Sequence, residues 1–415
     1  MAELQRILEK QFGNVSRLIL QKLIEKKLKA AGIDRKSDLV DRLVDHVLSG
    51  STKTFQWDDG SNIKSDVTLS ILKEDILEIE EAKSKLLAAT PHIVESVSED
   101  IAKGLLKSLK GNWAKEHSLQ VEDVLGFRTR LERRWGKALG MLRMLLTICR
   151  EFGSEIAKAT RSDQSDLRNV LTRLHVRACQ VTSEIILLLE NGYADGAMAR
   201  WRTLHEISVV MILMNEHGEE LAKRYLAHRI VEEKTGKDQY ARYCEQLGYQ
   251  PLSATDCQEI DEAYDRAIGK YGKEFGAPYG WAAGYVNVPK GRRGPRLGEL
   301  EAAAGRAVMS PFYKLASYNV HAGPHALYFR LGLLGETGLL AGASNAGLTE
   351  PGQNTAFSLT LISILLVGDS VNLDHLVTMN LLQLLRDEIP RAFFKADRKL
   401  QVDHERHSRT KKDGE

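Results

Sequence analysis

Proline, aromatic residues and cysteine are all scarce, and each shortage narrows what the chain is. Nine prolines in 415 residues and an aromatic content of 7% leave long stretches of Leu, Ala, Glu, Lys and Arg, which favour helix over sheet. The four cysteines, Cys149, Cys179, Cys244 and Cys257, show no Cys-x-x-Cys and no paired Cys/His spacing. Neither a zinc site nor a disulfide framework is expected, no cofactor is implied, and a reducing cytoplasm fits best. Excess charge is also lacking: 58 Lys and Arg against 56 Asp and Glu give a net +2. There is no global pull toward nucleic acid or membrane, so any basic surface is local. The chain opens without an apolar run, so no signal peptide is expected. Its most apolar window, Phe357 to Val367, is interrupted by Ser358, Thr360 and Ser363 and followed by Asp369. That window is too short and too polar to span a bilayer, and it reads as a core helix.

What is present is helical periodicity around one stretch. Leu167, Leu171, Leu174, Ala178, Val181, Ile185 and Leu188 recur at steps of four and three, the stripe of a packed helix. A turn at Gly192-Tyr193-Ala194-Asp195-Gly196 leads to a second helix. There Arg202 and Glu206 continue the face of Val209 and Leu213. A charged pair on an apolar face is desolvated, which is tolerated when the charges meet each other or a third group.

Either side of this pair the pattern is mostly helical. Residues 15–31 and 36–48 predict a helical hairpin, with apolar faces of Ile19, Leu23, Leu28 and Leu39, Leu43, Val47. Thr52–Trp57, an Asp-Gly turn and Ile63–Leu69 predict a short β-hairpin. Helix resumes at Lys73 and continues to Phe152, with a new start at Thr90-Pro91. The Phe127–Cys149 portion buries Leu131, Trp135, Leu139, Leu142 and Leu146. Ser162 or Asp163 is expected to cap the central helix, and Glu219–Tyr243 to form another, punctuated near Gly236. Residues 272–298 break the pattern with glycine, proline and aromatics, a length of loop that is usually functional or mobile. Ser310-Pro311 restarts a helix that Gly323-Pro324 stops. A long apolar helix is predicted from Asn354 to about Ile389, with a charged, fraying tail from Lys395.

Several segments together resemble a known family. These are Phe127-Arg128-x-Arg130-Leu131-x-x-Arg134-Trp135-Gly136; Glu190-Asn191-Gly192 through Ala199-Arg200-Trp201-Arg202-Thr203-Leu204-His205-Glu206; Tyr225-Leu226-x-His228; Tyr279-Gly280-Trp281; and Tyr313-x-x-x-Ser317-x-x-x-His321-x-Gly323. In this order they resemble an uncharacterised bacterial helical family, the domain of unknown function numbered five-six-seven-seven, over roughly Glu74 to Ile389. That family name implies no activity. A more distant likeness is to HEPN proteins, helical bundles that include toxins and phage-defence ribonucleases cutting RNA with an Arg and a His.

The HEPN likeness directs attention to Arg200 and His205, which have the Arg-spacer-His order. On a regular helix five residues turn through about 140°, so the two side chains diverge. Lys314 and His321, seven apart, share a face, but Lys lacks the planar fork of Arg. A second grouping takes Arg202, Glu206, His228, Glu232, Ser317, Tyr318 and His321 as one cluster. It is either a hydrogen-bonded network that fixes helix register or a pocket where Arg202 orients an anion and His321 is the acid or base. A metal version would use Glu206, His228, Glu232 and His321, but His-x-x-x-Glu is not the Glu-x-x-His of di-iron bundles, and no metal is assigned. Lys290, Arg292, Arg293 and Arg296 form a basic loop that either grips phosphates, with Trp281 stacking on bases, or is a solvated loop.

The expected fold is all-α: an antiparallel multi-helix bundle over 73–394, preceded by a small helical and β-hairpin module over 1–72 and followed by a charged tail over 395–415. The leading function is a HEPN-like, metal-independent endoribonuclease. Its catalytic candidates are His321, Arg202, Glu206, Tyr318, His205 and Arg200, and its RNA contacts Lys290, Arg292, Arg293, Arg296 and Trp281. The alternative is a non-catalytic interaction module, with a protein partner or a homodimer and a structural polar cluster. Neither reading involves a membrane.

Overall fold

The structure, a computed structural model, describes residues 15–33, 37–51, 54–57, 68–334, 339–368 and 371–412. The chain divides into two compact units, 1–119 and 120–415.

In the first unit, α1 (Val15–Ala30) and α2 (Ser37–Leu48) form the expected helical pair. Leu20, Leu23, Ile24 and Leu28 of α1 meet Leu39, Val40 and Val44 of α2 in a small core, against which Phe55, Trp57, Leu69 and Ile79 pack. The expected β-hairpin is not seen. Thr54–Trp57 and Thr68–Leu69 are not strands, and the intended turn with most of the second strand lies outside the described residues. The physical reason is visible in the two aromatics. Phe55 stands edge-on to His46 at 5.5 Å and Trp57 lies under Arg42 at 5.4 Å. Helix α2 thus takes the alternate apolar residues that a second strand was expected to cover.

Helix α3 (Lys73–Ala159) begins in this unit and continues into the next. It runs through Pro91, where a new helix was expected. Alanine, leucine, glutamate and lysine precede that position, and their preference for helix carries the chain through one lost hydrogen bond. In the second unit α3 buries Leu131, Trp135, Leu139, Leu142 and Leu146, the predicted face.

Next come α4 (Asp166–Glu190) and α5 (Ala194–Ala227), joined by a turn whose Gly192 adopts φ 76°. A Cβ there would stand 2.6 Å from the Ser344 carbonyl and 2.7 Å from the Phe127 ring, so only glycine fits. Ser165 caps α4, its hydroxyl accepting from the Arg168 amide at 3.2 Å, whereas Asp163 accepts from the Ser165 amide at 2.9 Å. The expected 219–243 helix is instead the end of α5 followed by α6 (Arg229–Tyr243), with non-helical backbone at Gly218 and an unbroken course through Gly236.

Helix α7 (Ala254–Tyr271) precedes the loop region, then α8 (Leu297–Ala303), α9 (Ser310–Tyr318) and α10 (His325–Tyr328) follow. The predicted 354–389 helix is two: α11 (Thr349–Leu365) and α12 (Leu373–Lys412). The break falls at Gly368, φ 67°, and Arg168 donates to the Leu366 carbonyl at 2.6 Å, satisfying the end of α11. Helix α11 packs against α4, α5 and α12, with Thr355, Ser358, Thr360 and Ser363 buried among Leu359 and Ile362. From Lys395 to Lys412 the segment expected to fray is helical. Ala396 and Leu400 are buried, and Asp403 pairs with Arg134 of α3 at 2.8 Å.

The architecture is therefore all-α. Among the described residues the β-type pairing is limited to one isolated bridge, Ala283 with Val286. No helix of the described residues is long and apolar enough to cross a membrane.

Candidate functional site

Helix α5 presents two polar side chains per turn toward α8 and α9, and they are answered in two separate ways. Tyr313 of α9 accepts a hydrogen bond from Arg202 Nη2 at 2.6 Å and donates one to Glu206 Oε1 at 2.6 Å. The Arg202 guanidinium also lies 4.5 Å from the centre of the Tyr313 ring. Arg202 and Glu206 are half-buried. They are partners, as their interruption of an apolar face predicts, but through a phenol. Burial first, then the Glu206 hydrogen bond, pushes the Tyr313 hydroxyl upward, with Arg202 opposing. Tyr279 is raised by burial and by the same Glu206 charge.

One turn along, His205 is fully buried and its Nε2 lies 2.7 Å from Oε1 of the buried Glu301 on α8. Ser310 donates to the other Glu301 oxygen at 2.7 Å. Ser310 was expected to cap α9, and its hydroxyl is spent on this carboxyl instead. The His205 imidazole is packed between Trp201, at 5.3 Å, and Tyr313, at 5.7 Å. Burial lowers its pKa, while the Glu301 hydrogen bond pulls the other way. With Nε2 as the donor, Nδ1 is bare and buried. Arg306, half-buried and lowered by burial, further disfavours a charged His205.

The other sequence candidates stand apart from this cluster. Arg200 pairs with Glu184 of α4 and reaches Thr203 at 3.0 Å, so it diverges from His205 as helix geometry requires. Tyr318 lies against His325 with the rings tilted and their centres 4.3 Å apart. His321 is exposed beyond the end of α9. His228, expected in the cluster, is buried against Phe275 and bonded to the Ala277 carbonyl at 2.9 Å. Glu232 is exposed. Among the described residues no three His, Cys, Asp or Glu side chains are grouped to hold a metal.

The basic loop is only partly free. Lys290, Arg293 and Arg296 are exposed, but Arg292 is bonded to Glu299 at 2.6 Å. Trp281 was expected to stack on bases and is corrected: it is 4% exposed, with Tyr225 edge-on at 5.1 Å. Its surroundings explain why residues 272–298 are not structureless. Arg224 of α5 donates to the carbonyls of Trp281 (3.0 Å), Gly280 (3.2 Å) and Ala283 (3.2 Å). Its guanidinium also faces the rings of Tyr271, Phe275 and Tyr285. One arginine thus fastens two short 3-10 turns, Lys273–Gly276 and Gly280–Ala282, to α5.

A separate cavity of about 510 Å³ lies between α3 and α4, lined in part by Arg150, Gly153, Thr172, His175, Cys179 and Ser183. Burial holds His175 down to about 4 and pushes the Cys179 thiol up to about 11 and that of Cys149 to about 12. Both cysteines are buried, and that burial favours the neutral thiol over the thiolate.

Residues 168–337 match the family of unknown function DUF5677. The match is shorter at both ends than the 74–389 span expected from the motifs, and it leaves out the Phe127–Gly136 run. It contains every member of the Arg202–Tyr313–Glu206 and His205–Glu301–Ser310 networks. No curated protein and no solved structure matches the chain.

Glu301, Ser310, Arg306 and Arg224 were all missed by sequence reasoning. Glu301 lies 96 residues from His205 and Arg224 57 residues from Trp281, too distant for any periodicity to connect them. Tyr313 did stand within a quoted motif, and its spacing of four from Ser317 was the available signal.

Proposed function

We propose that this protein is a non-catalytic helical interaction module whose polar cluster is structural. The observation that carries this is His205, fully buried and held by Glu301. Sealed from solvent, His205 cannot meet a substrate proton, and burial disfavours its charged form. Arg202 and Glu206 likewise spend their polarity on Tyr313. These hydrogen bonds tie α5 to α8 and α9 and fix the register of α5 against α9, although Arg202 Nε and His205 Nδ1 are buried without a partner.

A second reading, the HEPN-like ribonuclease, is favoured by one observation. Lys314 within α9 and His321 beyond its end are both exposed, so a cation and an imidazole remain open to solvent, with Lys290, Arg293 and Arg296 available for phosphate contacts. In that reading cleavage would be metal-independent transesterification through the RNA 2′-hydroxyl, with His321 as acid or base. The phage-defence or toxin setting comes with that likeness alone.

The two are separated by incubating the purified protein with total RNA in EDTA, alongside His321→Ala and His205→Ala. The module reading expects no cleavage from any of them and a loss of stability in His205→Ala. Cleavage by the wild type that disappears in His321→Ala would replace the module with the ribonuclease.

A further inference from the structure

In the first unit, α3 leaves the small N-terminal core after Ile79, and every residue from Val94 to Leu119 is exposed. This is about 40 Å of helix, and it carries two helix-weakening residues, Gly104 and Gly111. Helices owe most of their stability to a packed face, yet here the apolar face is bare. Val94, Val97, Ile101, Leu105, Leu109 and Trp113 are 39 to 64% exposed. From Val97 onward they are spaced by four, which makes them a single ridge. Two such ridges interdigitate with their axes crossing at about −50°. Leu105 is the middle residue of this ridge, and Gly104 beside it has nothing within 4 Å of the place a Cβ would take, so a second backbone can come close there.

Charge identifies the occupant. Glu95, Glu99, Asp100 and Lys103 precede the midpoint, and Lys107, Lys110, Lys115 and Glu116 follow it. Lys103 is engaged within its own helix, 3.3 Å from Glu99 and 3.6 Å from Asp100. Lys107 and Lys110 have no carboxylate partner among the described residues. Laid antiparallel on a copy of itself about Lys103, the segment sets Val97 over Leu109 and Ile101 over Leu105, and the two copies of Lys103 meet at the centre, each held by its own Glu99 and Asp100. It also brings Glu99 and Asp100 to Lys107. A parallel, in-register pair sets acid on acid and base on base. From the ridge and the charge order we infer that α3 self-associates: it pairs antiparallel with α3 of a second copy of this chain, crossing near Gly104. The inference rests on the interaction-module reading and names its partner.

The test is the mass of the full chain in solution by light scattering. The wild type is expected to be a dimer at micromolar concentration, and Ile101→Ala/Leu105→Ala/Leu109→Ala a monomer with its helix content by circular dichroism unchanged, since alanine favours helix. Glu99→Lys alone and Lys107→Glu alone each create two like-charge contacts, and each should weaken the dimer by about tenfold. The two combined restore opposite charges and should return the affinity to within about threefold of wild type. A monomeric wild type, a triple-alanine variant that stays dimeric, or a combined swap without rescue would each overturn the pairing. The two readings fail separately. His321-dependent RNA cleavage removes the module reading whatever the mass, whereas a monomeric wild type that cuts no RNA removes the self-pairing alone and leaves a different protein as the partner.

Discussion

Arg202 and Glu206 sit one turn apart on α5, yet their charges meet through the hydroxyl of Tyr313, which accepts from the first and donates to the second at 2.6 Å each. The phenol supplies what neither charged group supplies to the other, and it comes from a helix more than a hundred residues later. Stability in this region should therefore depend on Tyr313 as much as on either charge.

Replacing Tyr313 with Phe removes two hydrogen bonds to charged groups and should cost about 1–3 kcal/mol. Arg202→Ala and Glu206→Ala should each destabilise, and the double variant should lose less than the sum, with a coupling of roughly 0.5–3 kcal/mol. In the Tyr313→Phe background that coupling should shrink, because the connection runs through the hydroxyl. Urea denaturation of the full set measures all three terms. Coupling that is unchanged without the hydroxyl would show that the charges act on each other directly.

Acid should destabilise the protein through its buried histidines. Burial lowers His175 from 6.5 to about 4 and also lowers His205 and His228. A histidine whose folded pKa is depressed binds fewer protons folded than unfolded. Its stability is complete above about pH 6.5 and is lost as pH falls toward the folded value. For His175 the full drop corresponds to about 3 kcal/mol. Glu350 and Asp397, raised by burial, act in the opposite direction, so the clean measurement is a difference. The urea midpoint of wild type should fall more steeply between pH 6.5 and 4 than that of His175→Asn. Parallel curves would place His175 in water.

Two glycines should respond to alanine with opposite signs. Gly352 of α11 lies where an added Cβ would fall on the ring of Phe393, and that ring is fully buried with Trp135 5.9 Å away. Gly352→Ala should cost about 1–3 kcal/mol by overpacking. Gly236 of α6 has nothing within 4 Å of its would-be Cβ, so alanine there should gain up to about 1 kcal/mol. Thermal melts of the two variants decide this, and a stabilised Gly352→Ala would mean that α11 and α12 are less closely packed than described.

The helical faces were readable in advance because burial repeats along one chain. Leu171, Ala178, Val181 and Ile185 are buried at the predicted steps, and so is the Leu131–Leu146 face of α3. Arg202 and Glu206 were legible as an exception within that pattern. Glu301 was not, because its partner His205 lies 96 residues away and no local rule joins a short helix to a long one. Arg224 escaped notice for a similar reason: its role is to satisfy backbone carbonyls, which every sequence has. Trp281 and His321 misled in complementary ways. An aromatic in a glycine-rich segment reads as a loop platform until an arginine ties that segment down. A histidine near a helix end reads as clustered, whereas His321 lies past the end of the helix that carries Tyr313 and is exposed.

The segment after Lys395 gives the clearest contrast between composition and contact. Its charge density predicts fraying, whereas α12 continues to Lys412 with Leu400 only 8% exposed. Leu400→Ala should then cost about 2–5 kcal/mol, the usual range for truncating a buried leucine; a frayed tail would tolerate it. Asp403, whose carboxyl is held below its ordinary range by Arg134, should add acid sensitivity here. Its contribution is present above the unfolded value near 4 and lost as pH falls below it. Hydrogen exchange gives an independent reading, since the amides of Ala396 to Asp403 should be protected in wild type and exchange faster in Leu400→Ala. If these amides exchange in wild type as fast as an unfolded peptide, the packing of α12 on α3 through Arg134 and Asp403 does not persist in solution.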